Sequence, residues 1–204
     1  MALASAAELP SPREPGAPYR VCLVCLGNIC RSPMAETVLR AELAAAGLDG
    51  AVVVDSAGTG DWHVGDAMDP GARAALATRG HDGSAHRARQ FQPSWLPRRD
   101  LILAMDARNL ADLRRMARGQ DADRIQLFGE VGGLAEAPGG LGRAAAGGQA
   151  SMVVPPEGSS AGGDIPDPWG GGPDEFGHVL DLLGAAAPVI VARLARLLET
   201  VPPE

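Results

Sequence analysis

Residues 20–36, R-V-C-L-V-C-L-G-N-I-C-R-S-P-M-A-E, read as a short apolar strand, a tight loop and the opening of a helix. The run from Val21 to Cys25 is continuously apolar, which suits a strand buried on both faces. Gly27 and Asn28 allow the unusual backbone of a tight loop, with Asn28 in the left-handed conformation that asparagine tolerates better than most residues. Arg31, Ser32 and Pro33 then start the helix. Loop amides that point inward, backed by the positive end of a helix dipole, make an anion site. In that field the thiolate of Cys25 is favoured over the thiol. Arg31 adds a planar, permanently charged fork that fits two oxygens of a phosphate at once. A nucleophile, an oxyanion cradle and a bidentate clamp within so short a stretch point to phosphoryl transfer to sulfur, followed by hydrolysis.

Outward from this stretch, strands and helices alternate. Helical spacing predicts a helix from Ser32 to Ala46, stopped by Gly47, and A-V-V-V-D (51–55) predicts a second strand before the loop S-A-G-T-G-D-W-H-V-G. Asp69-Pro70 supplies a polar cap and a proline at the first position of a helix reaching about Arg79. A third strand is expected at Leu101–Met105, a helix over 106–118, a fourth strand at Ile125–Phe128 and a last helix over 174–201, which Pro188 is placed to kink or split. The pattern predicts one α/β domain with a four-stranded parallel sheet flanked by helices, its working loops at the carboxyl ends of the strands. Residues 1–18, with four prolines after Leu9, are expected to form a disordered tail, leaving 19–204 as the domain. A glycine-rich run at about 132–163 lacks enough apolar surface to offset the entropy of ordering it and reads as a flexible insertion. Its position just before Pro166 and Asp167 suggests an influence on the loop that carries them.

Composition narrows the partners. All 18 basic side chains are arginine, the net charge is −7 and no basic run occurs, which argues against nucleic acid or an anionic membrane as a partner. The three cysteines, Cys22, Cys25 and Cys30, are too few and too close to frame a secreted disulfide domain, and reduced thiols in a cytoplasmic setting fit them better. Cys22 and Cys25 have C-x-x-C spacing, but on a strand they point to opposite faces, which disfavours a metal or dithiol site.

The full C-L-G-N-I-C-R-S-P motif at a strand-to-helix junction is far more specific than a bare C-x5-R. Together with D-S-A-G-T-G-D-W-H-V-G (55–65), H-R-A-R-Q (86–90), A-M-D-A-R-N-L (104–110) and D-P-W (167–169), it makes the chain resemble the low-molecular-weight protein tyrosine phosphatases. That resemblance implies a flavodoxin-like sheet of the phosphotyrosine protein phosphatase I type, a cysteinyl-phosphate mechanism and no metal or other cofactor. It implies Cys25 as nucleophile, Arg31 as phosphate clamp and Asp167 as the acid that protonates the leaving oxygen and later serves as base toward water. Asp164 lies three residues earlier, but Pro168 singles out Asp167. Leu26, Gly27, Asn28, Ile29, Cys30 and Ser32 complete the phosphate-binding loop, with Ser32 donating to the Cys25 sulfur. The resemblance also implies that Ser56 and His86 support Asn28, with Glu36 near the histidine. Trp62 and Trp169, beside Leu26 and Ile29, would wall a slot deep enough for phosphotyrosine.

Where the family usually has D-P-Y-Y, this chain has D-P-W-G. Trp169 keeps an aromatic wall, Gly170 removes one side chain, and the usual site of control by tyrosine phosphorylation is missing, because Tyr19 is the chain's single tyrosine. Cys30 either packs beneath the loop or pairs reversibly with Cys25 to shield it from over-oxidation. Tyrosine-phosphorylated proteins are the expected substrates. Arsenate reductases share the fold but need further cysteines downstream, and none follows Cys30. Phosphoarginine phosphatases of the superfamily resemble C-T-G-N-T-C-R, whereas Ile29 here suits an aryl ring. A non-catalytic phosphate- or flavin-binding module would leave the joint presence of Cys25, Arg31 and Asp167 unexplained.

Overall fold

The computed structural model describes residues 8–117, 119–134 and 162–200. Its sheet has four parallel strands in the order β2-β1-β3-β4: β1 Tyr19–Cys25, β2 Val52–Gly58, β3 Leu101–Ala104 and β4 Ile125–Leu127. The helices are α1 Arg31–Ala45, α2 Pro70–Ala77, α3 Ala107–Met116, α4 Phe128–Val131 and α5 Pro173–Glu199, with 3₁₀ turns at Pro93–Arg98 and Gly119–Arg124. The two turns and α4 carry too little periodicity to be read in advance.

The central strand shows why the sheet is buried on both sides. Val21, Leu23 and Cys25 face a core shared with Met34 and Leu39 of α1 and with Phe176, Leu180, Leu183 and Ile190 of α5. Cys22 and Val24 face the other way, against Phe91, Leu96, Ile102 and Leu113. The period of two along a strand thus separates Cys22 from Cys25, as expected.

β2 runs further than its apolar stretch suggested. Ser56, Ala57 and Gly58 are strand, pairing with Leu23, Val24 and Cys25. Gly58 is required there by close approach, since a Cβ on it would lie 2.6 Å from the carbonyl oxygen of Leu26. This lets the phosphate-loop backbone lie against β2, with Thr59 N–H donating to Cys25 O and Gly60 N–H to Leu26 O, both at 2.9 Å.

α5 is continuous across Pro188, so the expected kink or split does not end it. Ala186, Ala187, Ile190, Val191 and Leu194 around it are buried, and that packing compensates the cost of a proline inside a helix, about 3 kcal/mol for the lost hydrogen bond and the ring's clash together. α5 is also long and apolar enough to cross a membrane by length and composition, but its apolar stripe packs into the core against α1, α2 and α4.

Residues 8–18 correct the expectation of a disordered tail. The backbone N–H of Arg13 donates to Asp100 Oδ1 at 2.6 Å, its Nε donates to Arg99 O at 2.8 Å, and its guanidinium pairs with Asp121. Tyr19 donates its hydroxyl to Pro10 O at 2.8 Å, Arg124 donates to Ser11 O at 2.9 Å, and Leu9 is buried. A proline-rich segment has little conformational freedom to lose on ordering, so a few side-chain bonds suffice to hold it along the sheet's amino edge. Residues 1–7 and most of the glycine-rich run, 135–161, lie outside the described residues. Val131 before that run and Ile165 after it are buried in the same core.

Candidate active site

Cys25 ends β1 and Arg31 begins α1, so the intervening loop sits at the carboxyl edge of the sheet. Its shape is set by Asn28, the one non-glycine residue with positive φ among those described, at +57°. The strain is held by a full set of hydrogen bonds around a buried side chain. Nδ2 donates to Ser32 Oγ and Ser56 Oγ, both at 2.9 Å. Oδ1 accepts from Arg89 N–H at 2.8 Å, and the Asn28 carbonyl lies 2.7 Å from His86 Nε2. Because a carbonyl only accepts, that ring nitrogen carries the proton. Burial lowers the His86 pKa below its ordinary value, against opposing pulls from the Asn28 carbonyl and the Glu36 carboxylate. The expected supports, Ser56, His86 and a nearby Glu36, are therefore gathered behind the loop. The Arg89 amide, inside the H-R-A-R-Q motif but given no role there, is a further support.

The Cys25 sulfur faces two groups of this loop. Ser32 Oγ lies 3.0 Å away and the Asn28 N–H donates to the sulfur at 3.3 Å. Since the Ser32 oxygen already accepts from Asn28 Nδ2, its own proton is left for the sulfur or for Ala57 O at 3.3 Å.

Arg31 is nearly enclosed, with a side chain 4 % exposed. Nη1 pairs with Asp106 Oδ2 and donates to Ile165 O, while Nη2 donates to Asp167 Oδ2 at 2.6 Å. These acids and the Cys25 sulfur raise the Arg31 pKa against the opposing effect of burial. Asp106, just beyond β3, was visible only as part of a quoted motif. Its Oδ1 also caps α3 by accepting from Asn109 N–H at 2.7 Å.

Asp167 reaches the loop through its own short tether. Ile165 is fully buried and its N–H donates to Met105 O at 2.7 Å. Burying that side chain stabilises the tether by about 1.5–3 kcal/mol. Asp164 accepts from Ala107 N–H at 3.0 Å, at the start of α3, and so faces away from the role given to Asp167. Beyond the acid, Trp169 N–H donates to Asp167 Oδ1 at 3.2 Å, and a turn closes from Gly171 N–H to Pro168 O at 2.9 Å. Gly170 sits in that turn at φ +78°, a backbone conformation that a tyrosine would adopt only with strain. The D-P-W-G departure is therefore matched by its turn.

Cys25, Arg31 and Asp167 open onto a cleft of about 210 Å³, walled by Leu26, Ile29, Trp62 and Trp169. The two tryptophans are 62 % and 68 % exposed, so the walls stand free at the mouth. His63 joins the rim, with Nδ1 3.0 Å from Asp66 Oδ2, and was not singled out by the sequence beyond its motif. Cys22, Cys25 and Cys30 are free thiols. Burial, then the charges of Asp69, Cys25 and Asp167, push the Cys30 thiol well up, which suits a packing role beneath the loop.

A thiol at a strand end, a hydrogen-bonded loop, an enclosed guanidinium and a carboxylate across the cleft define a cysteine-dependent phosphoryl-transfer site. Comparison with known proteins agrees. The family described as "Low molecular weight phosphotyrosine protein phosphatase" matches residues 20–136. A low-molecular-weight protein-tyrosine-phosphatase of Streptomyces coelicolor is 43 % identical over 182 residues, covering 89 % of this chain and 96 % of that protein. The crystal structure of YfkJ from Bacillus subtilis superposes with a TM-score of 0.70 at 31 % identity, covering 89 % of this chain and 97 % of that one. A tyrosine phosphatase of Entamoeba histolytica, crystallised with Hepes in its active site, gives the same TM-score at 26 % identity, over 87 % of this chain and 97 % of that one. The chain belongs to the low-molecular-weight protein tyrosine phosphatase family, and is a hydrolase of that family.

Proposed function

We propose that the protein hydrolyses phosphotyrosine in proteins, in two steps at Cys25. The thiolate attacks phosphorus in line, an S–P bond forms and the aryl O–P bond breaks. Asp167, as carboxylic acid, gives its proton to the departing phenolate oxygen. Water then attacks the same phosphorus, Asp167 as carboxylate takes its proton, and the S–P bond breaks to release phosphate and regenerate the thiolate. Amides of residues 26–31 and the Arg31 fork hold the equatorial oxygens through both steps.

The observation that carries this reading is the arrangement around Arg31. Asp106 and Asp167 share its guanidinium. An arriving dianion competes for Nη2 and releases Asp167 beside the leaving oxygen, while Asp106 keeps the fork aimed. Ser32 lowers the cost of charge on sulfur, both as nucleophile and as leaving group. Trp62 and Trp169 flank the aryl ring, and the depth of the cleft leaves the shorter phosphoserine away from the sulfur.

The glycine-rich run is an insertion in a single domain that takes in the ordered segment 8–18 as well. The free thiols fit a cytoplasmic setting, with no nucleic acid or membrane as partner. A side-by-side assay of phosphotyrosine, phosphoserine and phosphoarginine peptides tests the reading. Turnover of phosphotyrosine alone, lost in Cys25→Ser, is expected; faster turnover of phosphoarginine would overturn the substrate assignment.

A further inference from the structure

Two surface grooves leave the catalytic cleft around Leu26, and they differ in charge. One, about 470 Å³, runs past Arg108 toward the acid loop and is lined further on by Asp106, Asp164 and Asp167. The other, about 400 Å³, runs from Trp62 over Thr59 and Gly60 to the outer side of α3, past Arg108, Asp112 and Arg115. Trp62 belongs to both the catalytic cleft and this second groove, so the two are continuous. Asp112 is already paired with Arg115. The Arg108 side chain is exposed and makes no hydrogen bond or ion pair with any described residue. On a chain of net charge −7, an unpaired arginine beside the mouth of an anion site is a local exception.

We propose that the Arg108/Arg115 groove binds acidic side chains on one flank of the phosphotyrosine, so that the enzyme selects phosphopeptides whose acidic residues lie on that side. The inference rests on the phosphotyrosine reading of the cleft and adds to it the chemistry of the flanking peptide. The two grooves adjoin, sharing Leu26 and Arg108, and only the second holds Arg115 as well. A peptide flank entering the first groove meets three carboxylates beside Arg108, so negative charge gains little there. A flank entering the second groove meets Arg108 and Arg115 against the single carboxylate of Asp112, and the unpaired Arg108 fork suits a carboxylate. These are exposed charges, each worth little in salt, so the effect is a preference and not a requirement.

The test compares kcat/KM for three phosphotyrosine peptides, with two glutamates before the phosphotyrosine, two after it, or neutral residues on both sides. p-Nitrophenyl phosphate, which has no flanks, reports the phosphoryl chemistry separately. One of the two acidic peptides is expected to be preferred over the neutral one by about three- to tenfold at low ionic strength, with the advantage shrinking toward unity by about 0.5 M salt. Arg108→Ala/Arg115→Ala should remove that advantage without a matching fall for the neutral peptide, and Arg108→Glu should reverse it. Equal rates for all three peptides, equal gains from both flanks, or a gain that survives the double variant would overturn the proposal. Loss of p-nitrophenyl phosphate turnover in Cys25→Ser tests the underlying reading independently of these outcomes.

Discussion

The two loops that meet at Arg31 are built differently. The catalytic loop, from Cys25 to Ser32, is held from behind by Asn28, Ser56, His86 and the Arg89 amide, with Asn28, Arg31 and Ser32 all buried. The acid loop, from Asp164 to Gly171, is tied to the body through buried Ile165 and Pro168, the bond from Ile165 N–H to Met105 O and side-chain bonds to Ala107 N–H and Arg31, and its Asp167 side chain is 44 % exposed. The first is preorganised for a tetrahedral anion before any arrives. The second gives a proton, lets water in and takes a proton back, work that suits a segment with few buried contacts. Damage to the catalytic loop should therefore cost rate and stability together, and damage to the acid loop should cost rate alone.

Among changes that keep the Cys25 nucleophile, Asp167→Asn is expected to have the largest effect that leaves the fold intact. With an unactivated aryl phosphate kcat should fall by about 10²–10⁴-fold, with much less loss for p-nitrophenyl phosphate, whose leaving oxygen needs little help. Thermal denaturation should be nearly unchanged, and a large drop in Tm would break the contrast between the loops. Asn28→Ala removes the side-chain bonds to Ser32, Ser56 and the Arg89 amide and puts a non-asparagine residue at positive φ. A loss of about 2–4 kcal/mol in urea denaturation, with a parallel loss of kcat, is expected. A smaller, pH-dependent effect belongs to His86. Burial holds its pKa below the ordinary 6.5, so the unfolded chain takes up the proton first as pH falls. The stability this neutral histidine supports is present above about pH 6.5 and declines as pH drops from there toward the folded pKa. Denaturation midpoints across pH 5–8 should show that decline in the wild type and less of it in His86→Gln. The smallest effect is expected for Trp169→Ala, a KM increase of about two- to tenfold with kcat little changed, since it removes one exposed wall.

What was legible in the sequence follows the same division. The strand, the left-handed asparagine and the arginine at the helix start lie within one contiguous stretch, where local stereochemistry limits the alternatives, and the structure keeps them together. Asp106 was not legible as the partner of Arg31, because the two are 75 residues apart and only strand order brings them together. His63 and Arg89 stood inside quoted motifs without a role, because their places at the rim and behind the loop are likewise set by packing between distant segments. Residues 8–18 looked like a tail because prolines and short side chains carry no periodicity. Their order comes from single side-chain bonds, Arg13 above all, to residues near position 100. Pro188 misled in the opposite direction: a local helix-breaking tendency was overridden by burial on both sides of it.

The central claim, that phosphorus passes through the Cys25 sulfur, is tested most directly by acid-quenching the enzyme during turnover of an aryl phosphate and mapping the covalent adduct by mass spectrometry. One phosphoryl group on the peptide that contains Cys25, absent from Cys25→Ser along with activity, is the expected result. Continued turnover by Cys25→Ser, or a phosphoryl group mapped to any other residue, would contradict it.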